Sequence, residues 1–436
     1  MDELASEAVA EQLDRRRRSA AEAWDLSNEV VLIGAGEAIP IPGRGDVTYP
    51  FRAHSEYFYL TDRERPGGVL AFDPQTGWVD FVEPVTNEEL LWSGTQGARV
   101  GVPEGAVPVS DLAAWLEERA GRRTGCLGAE IAGVTSDARL HDELRYTLTH
   151  VRRVKDAVEL SRMRIAERAT RAGFAELVAL LAPGRTEREL QIELEAGFLR
   201  GGADFLAFDS IVASGPHSAV LHFMPTERQL RDGELLLIDA GGEYRGYDSD
   251  VTRTYGVSGG LNPQQQDLYS LVRAAGVAAT ESCTIGTEWR EVHRAAAHVI
   301  AEGLVELGIL QGDAFSLVER GTVSLLFPHG IGHMVGLGVR DASGILRGRE
   351  GFDPGSPSLR VDLPLQAGYT VTIEPGIYFV PALLENPANR EQHRDAVAWE
   401  RIDGLRGFGG IRIEDNILIT EEGPEVLTAD IPVPYL

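Results

Sequence analysis

An aspartate placed directly after an unbroken apolar run does most to narrow what this chain can fold into. Leu235-Leu236-Leu237-Ile238 has the continuous hydrophobicity of a strand buried on both faces, and Asp239 follows at once. A carboxylate so placed loses its water and needs a partner or a cation. Gly241-Gly242 then offers a turn into a second strand carrying Asp250. Two carboxylates on such a hairpin converge, and they repel unless a divalent ion lies between them. A turn-capping Asp239 beside a solvated Asp250 is the plainer reading of this stretch alone, so the rest of the chain decides.

Later segments repeat the pattern. Val371-Thr372-Ile373 puts Glu374 at the end of a β-branched run, immediately before Pro375-Gly376. The strand-like run from Gly409 to Asn416 holds Arg412 and Glu414, and a glycine-rich stretch after Phe327 holds His329 and His333. Asp239, Asp250, His333, Glu374 and Glu414 together offer carboxylates and one imidazole. That oxygen-rich set suits Mn²⁺, with Co²⁺ or Zn²⁺ as further candidates. Bridging carboxylates can hold two ions about 3.5 Å apart with a shared hydroxide. The HExxH helix of zinc proteases is missing.

A chain of 436 residues is too long for one ordinary core, and two domains are expected. Residues 1–150 alternate strands with helices, as a small α/β domain does. Within them residues 5–24 read as an amphipathic helix with Arg15–Arg18 on its solvated face, and Tyr57–Leu60 reads as an aromatic alternation. Residues 151–436 form the second domain, opening with one long helix over Val151–Ala182 that Pro183-Gly184 stops. Acidic residues outnumber basic ones 67 to 41, which argues against nucleic acid or an anionic membrane as partner. Cys126 and Cys283 make no disulfide framework, and no apolar leader or membrane-length run is present. These features predict a soluble cytoplasmic protein.

The acidic and histidine segments resemble the pita-bread metallopeptidases, the group of methionine aminopeptidase, aminopeptidase P, prolidase and creatinase. The likeness runs from about Val151 to the C-terminus and more weakly through the N-terminal domain. It implies an α/β (α+β) chain: a pita-bread catalytic domain behind a smaller creatinase-like N-terminal domain that supports a homodimer and rims an active site. By the same resemblance Asp250 and Glu414 bridge two ions, Asp239 completes one site, and His333 and Glu374 complete the other. His222 matches a histidine that contacts substrate, His329 one lying behind the ligands, and Arg412 one that steadies Asp250 and Glu414.

The long segment between Glu374 and Glu414 resembles prolidases, and Arg360 stands where they bind the free carboxylate of a dipeptide. A guanidinium fork suits that role. The sequence reading is therefore an Xaa-Pro dipeptidase acting on proline dipeptides or short peptides. Aminopeptidase P is the alternative, supported by the N-terminal segment Tyr49–Asp62, and a non-catalytic binding module is the third reading. Glu374 is expected to move the proton, with His222 and Arg340 stabilising the oxyanion and Phe208 and Tyr378 lining a proline pocket. In one respect the chain departs from the family, which has a histidine where Arg340 stands. Arginine donates hydrogen bonds but does not cycle a proton near neutral pH, which predicts altered specificity or slower turnover.

Overall fold

The computed structural model describes residues 6–93, 102–349 and 359–435. The chain divides into two compact units, Met1–Arg152 and Arg153–Leu436. Among the described residues no helix is long and apolar enough to cross a membrane.

The first unit is built on β1 (Val30–Gly34), β2 (Val69–Asp73), β3 (Gly77–Phe81) and β4 (Thr124–Gly128), in the order β3–β2–β1–β4. β4 runs parallel to β1, whereas the β1–β2 and β2–β3 pairs are antiparallel. Trp24, closing the Ser6–Trp24 helix, packs against Phe72 and Trp78 and donates its indole N–H to Leu144 O. The arginine run of that helix is not a solvated face. Arg15 pairs outward with Glu11, but Arg16 is buried and donates to Tyr59 O, and Arg17 donates to Leu60 O. Those carbonyls end a helix, Ser55–Thr61, whose last turn lacks intrahelical partners. Tyr57–Leu60 is thus helical, with all four side chains buried, and not an alternating strand.

The helix expected over Val151–Ala182 is two helices, Ala138–Arg153 and Ala157–Leu180. Asp156 stops one and starts the other. Its side chain accepts from the Val158 and Glu159 N–H groups while Glu159 returns to the Asp156 N–H, a complete capping box.

In the second unit Leu235–Ala240 is the central strand of three, antiparallel to Ile211–Ser214 and Val251–Gly256. Period-two alternation divides its faces. Leu236, Ile238 and Ala240 enter an apolar cluster shared with the helices Ala157–Leu180 and Glu187–Arg200. Leu237 and Asp239 point the other way, as do their neighbours Thr254 and Thr252 in register across the ladder. The second helix pair, Pro263–Ser282 and Trp289–Glu306, buries a larger cluster. That cluster takes in Ile331, Met334, Val371, Ile373, Ile411 and Ile413, residues flanking His333, Glu374 and Glu414. Apolar neighbours on both sides therefore fix the backbone from which each polar side chain projects.

The reversal after Asp239 is not at Gly241-Gly242. A Cβ on Gly241 would lie 1.7 Å from Ser249 O, so that glycine permits a strand crossing. The chain turns at Arg245-Gly246, both at positive φ (50° and 79°), the backbone that a tight hairpin turn demands.

Candidate metal centre and active site

Asp239, Asp250, His333, Glu374 and Glu414 all line one cavity of about 380 Å³. Ligand-type atoms of Asp250, His333 and Glu414 lie within 4.8 Å of one another. His333 Nε2 is 3.4 Å from Asp250 Oδ2 and 3.9 Å from Glu374 Oε1. Its Nδ1 faces Met334 O at 3.0 Å, which leaves Nε2 as the atom turned to the acids. The backbone is pinned here too, because Thr372 exchanges hydrogen bonds with His333 from the adjacent strand.

These acids are poorly compensated. Asp239 Oδ2 accepts from Arg412 Nη2 at 2.5 Å, but its buried Oδ1 has no partner among the described residues. Burial pushes Asp239 up to about 7, aided by Asp250 and Glu374 and opposed by Arg412. Burial raises Glu414 as well, and Asp250, Glu374 and Asp239 add to the effect. Glu374 is raised by burial against the pull of His333 and Arg412. Burial alone would lower His333, yet Asp250 and Glu374 prevail and raise it. An orphaned carboxylate oxygen beside mutually repelling buried acids is the donor set that a divalent cation satisfies. The residues fit a metal.

Arg412 and Tyr378 form the layer beneath. Arg412 is 3% exposed and reaches Asp239 directly and Glu414 by way of Thr252, whose hydroxyl donates to Glu414 Oε2 at 2.6 Å. It steadies Asp239 and Glu414, and not Asp250 as the resemblance implied. Asp250 is instead gripped by Asn416, which accepts from its N–H at 3.0 Å and donates to its carbonyl at 2.8 Å. Tyr378, expected in the proline pocket, is fully buried. Its hydroxyl sits 2.9 Å from both His329 Nε2 and Arg412 Nη1. It braces those side chains and cannot line a substrate pocket. His329, between Tyr378 and Gly330 O, is drawn down to about 3, chiefly by burial and then by Arg412.

The cavity wall holds the remaining expected residues, Phe208, His222, Arg340 and Arg360, together with Ile211, Leu221, Met224 and Val339. His222 is lowered first by burial, then by Arg340, Arg412 and Arg360. Its loop has one anchor that sequence reasoning missed. Glu187, fully buried, accepts at Oε1 from Ser214 N–H, Ser214 Oγ and the ring nitrogen of His217. At Oε2 it accepts from Thr226 N–H and Oγ1. One carboxylate thus ties both ends of the segment that carries His222. The available signal was its place one residue past the Thr186 helix cap, which reads equally as ordinary first-turn charge.

Comparison with known proteins adds independent findings. Residues 161–421 match metallopeptidase family M24, and residues 13–111 match the aminopeptidase P N-terminal domain. A protein of Botryotinia fuckeliana named "Probable Xaa-Pro aminopeptidase pepP" is 31% identical over 88% of this chain and 86% of its own length. The structure of Pseudomonas aeruginosa aminopeptidase PepP superposes with a TM-score of 0.79 at 30% identity, covering 97% of this chain and 95% of that one. Zinc-substituted Escherichia coli aminopeptidase P in complex with product gives 0.78 at 27% identity, covering 97% and 96%.

Proposed function

The chain belongs to metallopeptidase family M24, and from that premise we propose that it is an Xaa-Pro aminopeptidase. It releases the residue before proline from the N-terminus of short peptides. The observation that carries this reading is the convergence of Asp239, Asp250, His333, Glu374 and Glu414 on the floor of one cavity. The relatives' names move the preference from dipeptidase to aminopeptidase. The dipeptidase stays as second reading because Arg360 lines that cavity with its side chain exposed. The protein acts in the cytoplasm as a homodimer, whose assembly light scattering tests.

Those five residues would hold two divalent ions, Mn²⁺ in the first instance. When bound, the ions supply Lewis-acid polarisation of the scissile carbonyl and a more acidic water. Glu374, whose side chain is 19% exposed and raised in proton affinity, takes a proton from water and hands it to the departing proline nitrogen. His222, kept neutral by burial and neighbouring guanidiniums, donates its N–H where negative charge grows on the carbonyl oxygen. Arg340 adds positive potential to the same wall. Phe208, Leu221 and Met224 supply the apolar surface that excludes water around the proline ring. Arg412 and Tyr378 keep Asp239 and His329 in place without touching substrate.

The deciding experiment strips the protein with chelator, restores Mn²⁺, Co²⁺ or Zn²⁺ separately, and offers Ala-Pro beside Ala-Pro-Ala. Metal-restored cleavage of the tripeptide is expected. Cleavage of the dipeptide alone moves the assignment to dipeptidase, and no turnover with any metal reduces the protein to a binding module.

A further inference from the structure

A second cavity of the catalytic unit, of about 220 Å³, shares no residue with the first. It lies between the helix Ala157–Leu180 and residues 427–431. Arg164, Glu167, Arg168 and Arg171 line it from one stripe of the helix, and Thr428 and Asp430 line it from the other segment. Glu167 is 5% exposed, yet its buried Oε1 has no hydrogen-bond partner among the described residues, nor has the buried Nε of Arg168. Groups so secluded are ordinarily paired. Arg164 and Arg171 pair only at the rim, with Glu425 at 3.0 Å and Asp430 at 3.3 Å. Such half-exposed pairs contribute little, and a bound anion can displace them. Burial keeps the proton on Glu167 up to about 8, against Arg164 and Arg168. A protonated carboxyl donates a hydrogen bond. Near neutral pH the lining therefore presents three guanidiniums and a donating acid against the one carboxylate of Asp430. That wall repels a cation and offers an oxyanion the donors it needs. Pockets for organic ligands start at about 300 Å³, so this smaller space suits a single compact ion.

We propose that this cavity binds a small oxyanion of the phosphate class, held by Arg164, Arg168 and Arg171 with Glu167 as a further donor, and that its occupancy steadies the backbone of the metal centre. Two hydrogen-bonded routes join its far wall to that backbone. The Thr428 hydroxyl accepts from the Asn416 N–H at 3.1 Å, and Asn416 grips both backbone groups of Asp250. The Ile431 carbonyl accepts from Arg253 Nη2 at 2.7 Å, while Arg253 Nη1 donates to Glu414 O at 2.6 Å. An anion that orders residues 427–431 thereby restrains the segments from which Asp250 and Glu414 project. The ion has two sources, free phosphate or the phosphate end of a monoester.

The test needs no turnover and stands apart from the peptidase reading. Calorimetric titration of the full chain with inorganic phosphate, at constant ionic strength, is expected to show a saturable site. Arg168→Gln and Arg171→Gln should each weaken it about tenfold, whereas Arg340→Gln, in the catalytic cavity, should leave it unchanged. Affinity should fall as pH rises through about 8, where Glu167 ionises beside Asp430 and Glu425. Glu167→Gln keeps a donor and should remove that fall. Glycerol 2-phosphate in a parallel titration separates the sources: tighter binding than the free ion identifies a monoester, weaker binding the ion itself. Phosphate should also slow amide hydrogen exchange at residues 414–416 and 427–431, and should not do so in Arg168→Gln. No saturable binding, or binding indifferent to both arginine substitutions, would overturn the site. Binding without slower exchange at residues 414–416 would reject its link to the metal centre.

Discussion

The two units treat buried carboxylates in opposite ways. In the first, Asp73 is 1% exposed and meets Arg119 at 2.7 Å and Arg122 at 2.9 Å. The Arg122 guanidinium holds it far below the usual carboxylate range. Burial pushes Asp80 upward, but Arg63 and Arg17 pull it lower overall. In the second unit Asp239 is also buried, and burial pushes it up to about 7 against Arg412, with Asp250 and Glu374 adding to the rise. Both are buried aspartates. At Asp73 the guanidiniums outweigh burial, whereas at Asp239 burial prevails over one guanidinium and two neighbouring acids add to it. The first unit completes its electrostatics internally, and the second leaves a deficit of positive charge where the cavity opens.

The largest effect expected from that contrast is on the second unit alone. Removing divalent ions should lower Xaa-Pro cleavage by at least about a thousandfold. Adding Mn²⁺ back at a hundred times its Kd should raise stability by about 2.7 kcal/mol, read by thermal unfolding. Unchanged melting and activity would remove the contrast. Next, Asp73→Asn should strand two guanidiniums and destabilise the first unit by about 3 kcal/mol while leaving metal content unchanged. A fall in metal content instead would mean that the two charge systems are linked.

A smaller effect sharpens the comparison within the second unit, where Glu187 is well satisfied. Glu187→Gln should lower kcat/KM roughly tenfold through a displaced His222, but hardly at all in a His222→Ala background. Additive losses in the double variant would show that Glu187 acts elsewhere.

A further effect is one of pH. Burial pushes Glu167 up to about 8, against Arg164 and Arg168. The folded state therefore keeps a proton that the unfolded chain releases near its ordinary value of 4.5. Its contribution is intact below that pH and is lost as pH rises through about 8. Glu167→Gln should flatten that decline in denaturant titrations from pH 5 to 9. Asp73 has the opposite sign, its contribution being lost as pH falls.

The chemistry of the site was legible because each acid interrupts an apolar run, and few physical arrangements tolerate that. Asp239, Glu374 and Glu414 announced themselves this way, and His222, Arg340 and Arg360 followed from resemblance. The braces were not legible. Asn416 and Thr252 are small polar residues in strands, and nothing in their spacing tells a backbone clamp from a solvated position. Tyr378 sits in an apolar run that fits a pocket wall as well as a buried strut. Arg16 and Arg17 have the spacing of surface charges, and the carbonyls ending a distant helix, with Asp80 as a further partner of Arg17, turn them inward. The Asp156 break lies inside an uninterrupted apolar periodicity, and the capping box that makes it is spelled by residues common within helices. Gly241-Gly242 drew the turn to itself because a glycine pair looks the same whether it bends the chain or lets another strand pass.

The fully buried ion pair between Lys155 and Asp341, the residue after Arg340, has one further consequence. Because the shape of the neighbouring loop is set from below, the identity of residue 340 is free to change without refolding anything around it. The position is an exchangeable socket on the cavity wall, where imidazole, guanidinium or amide can be compared on a scaffold that stays still.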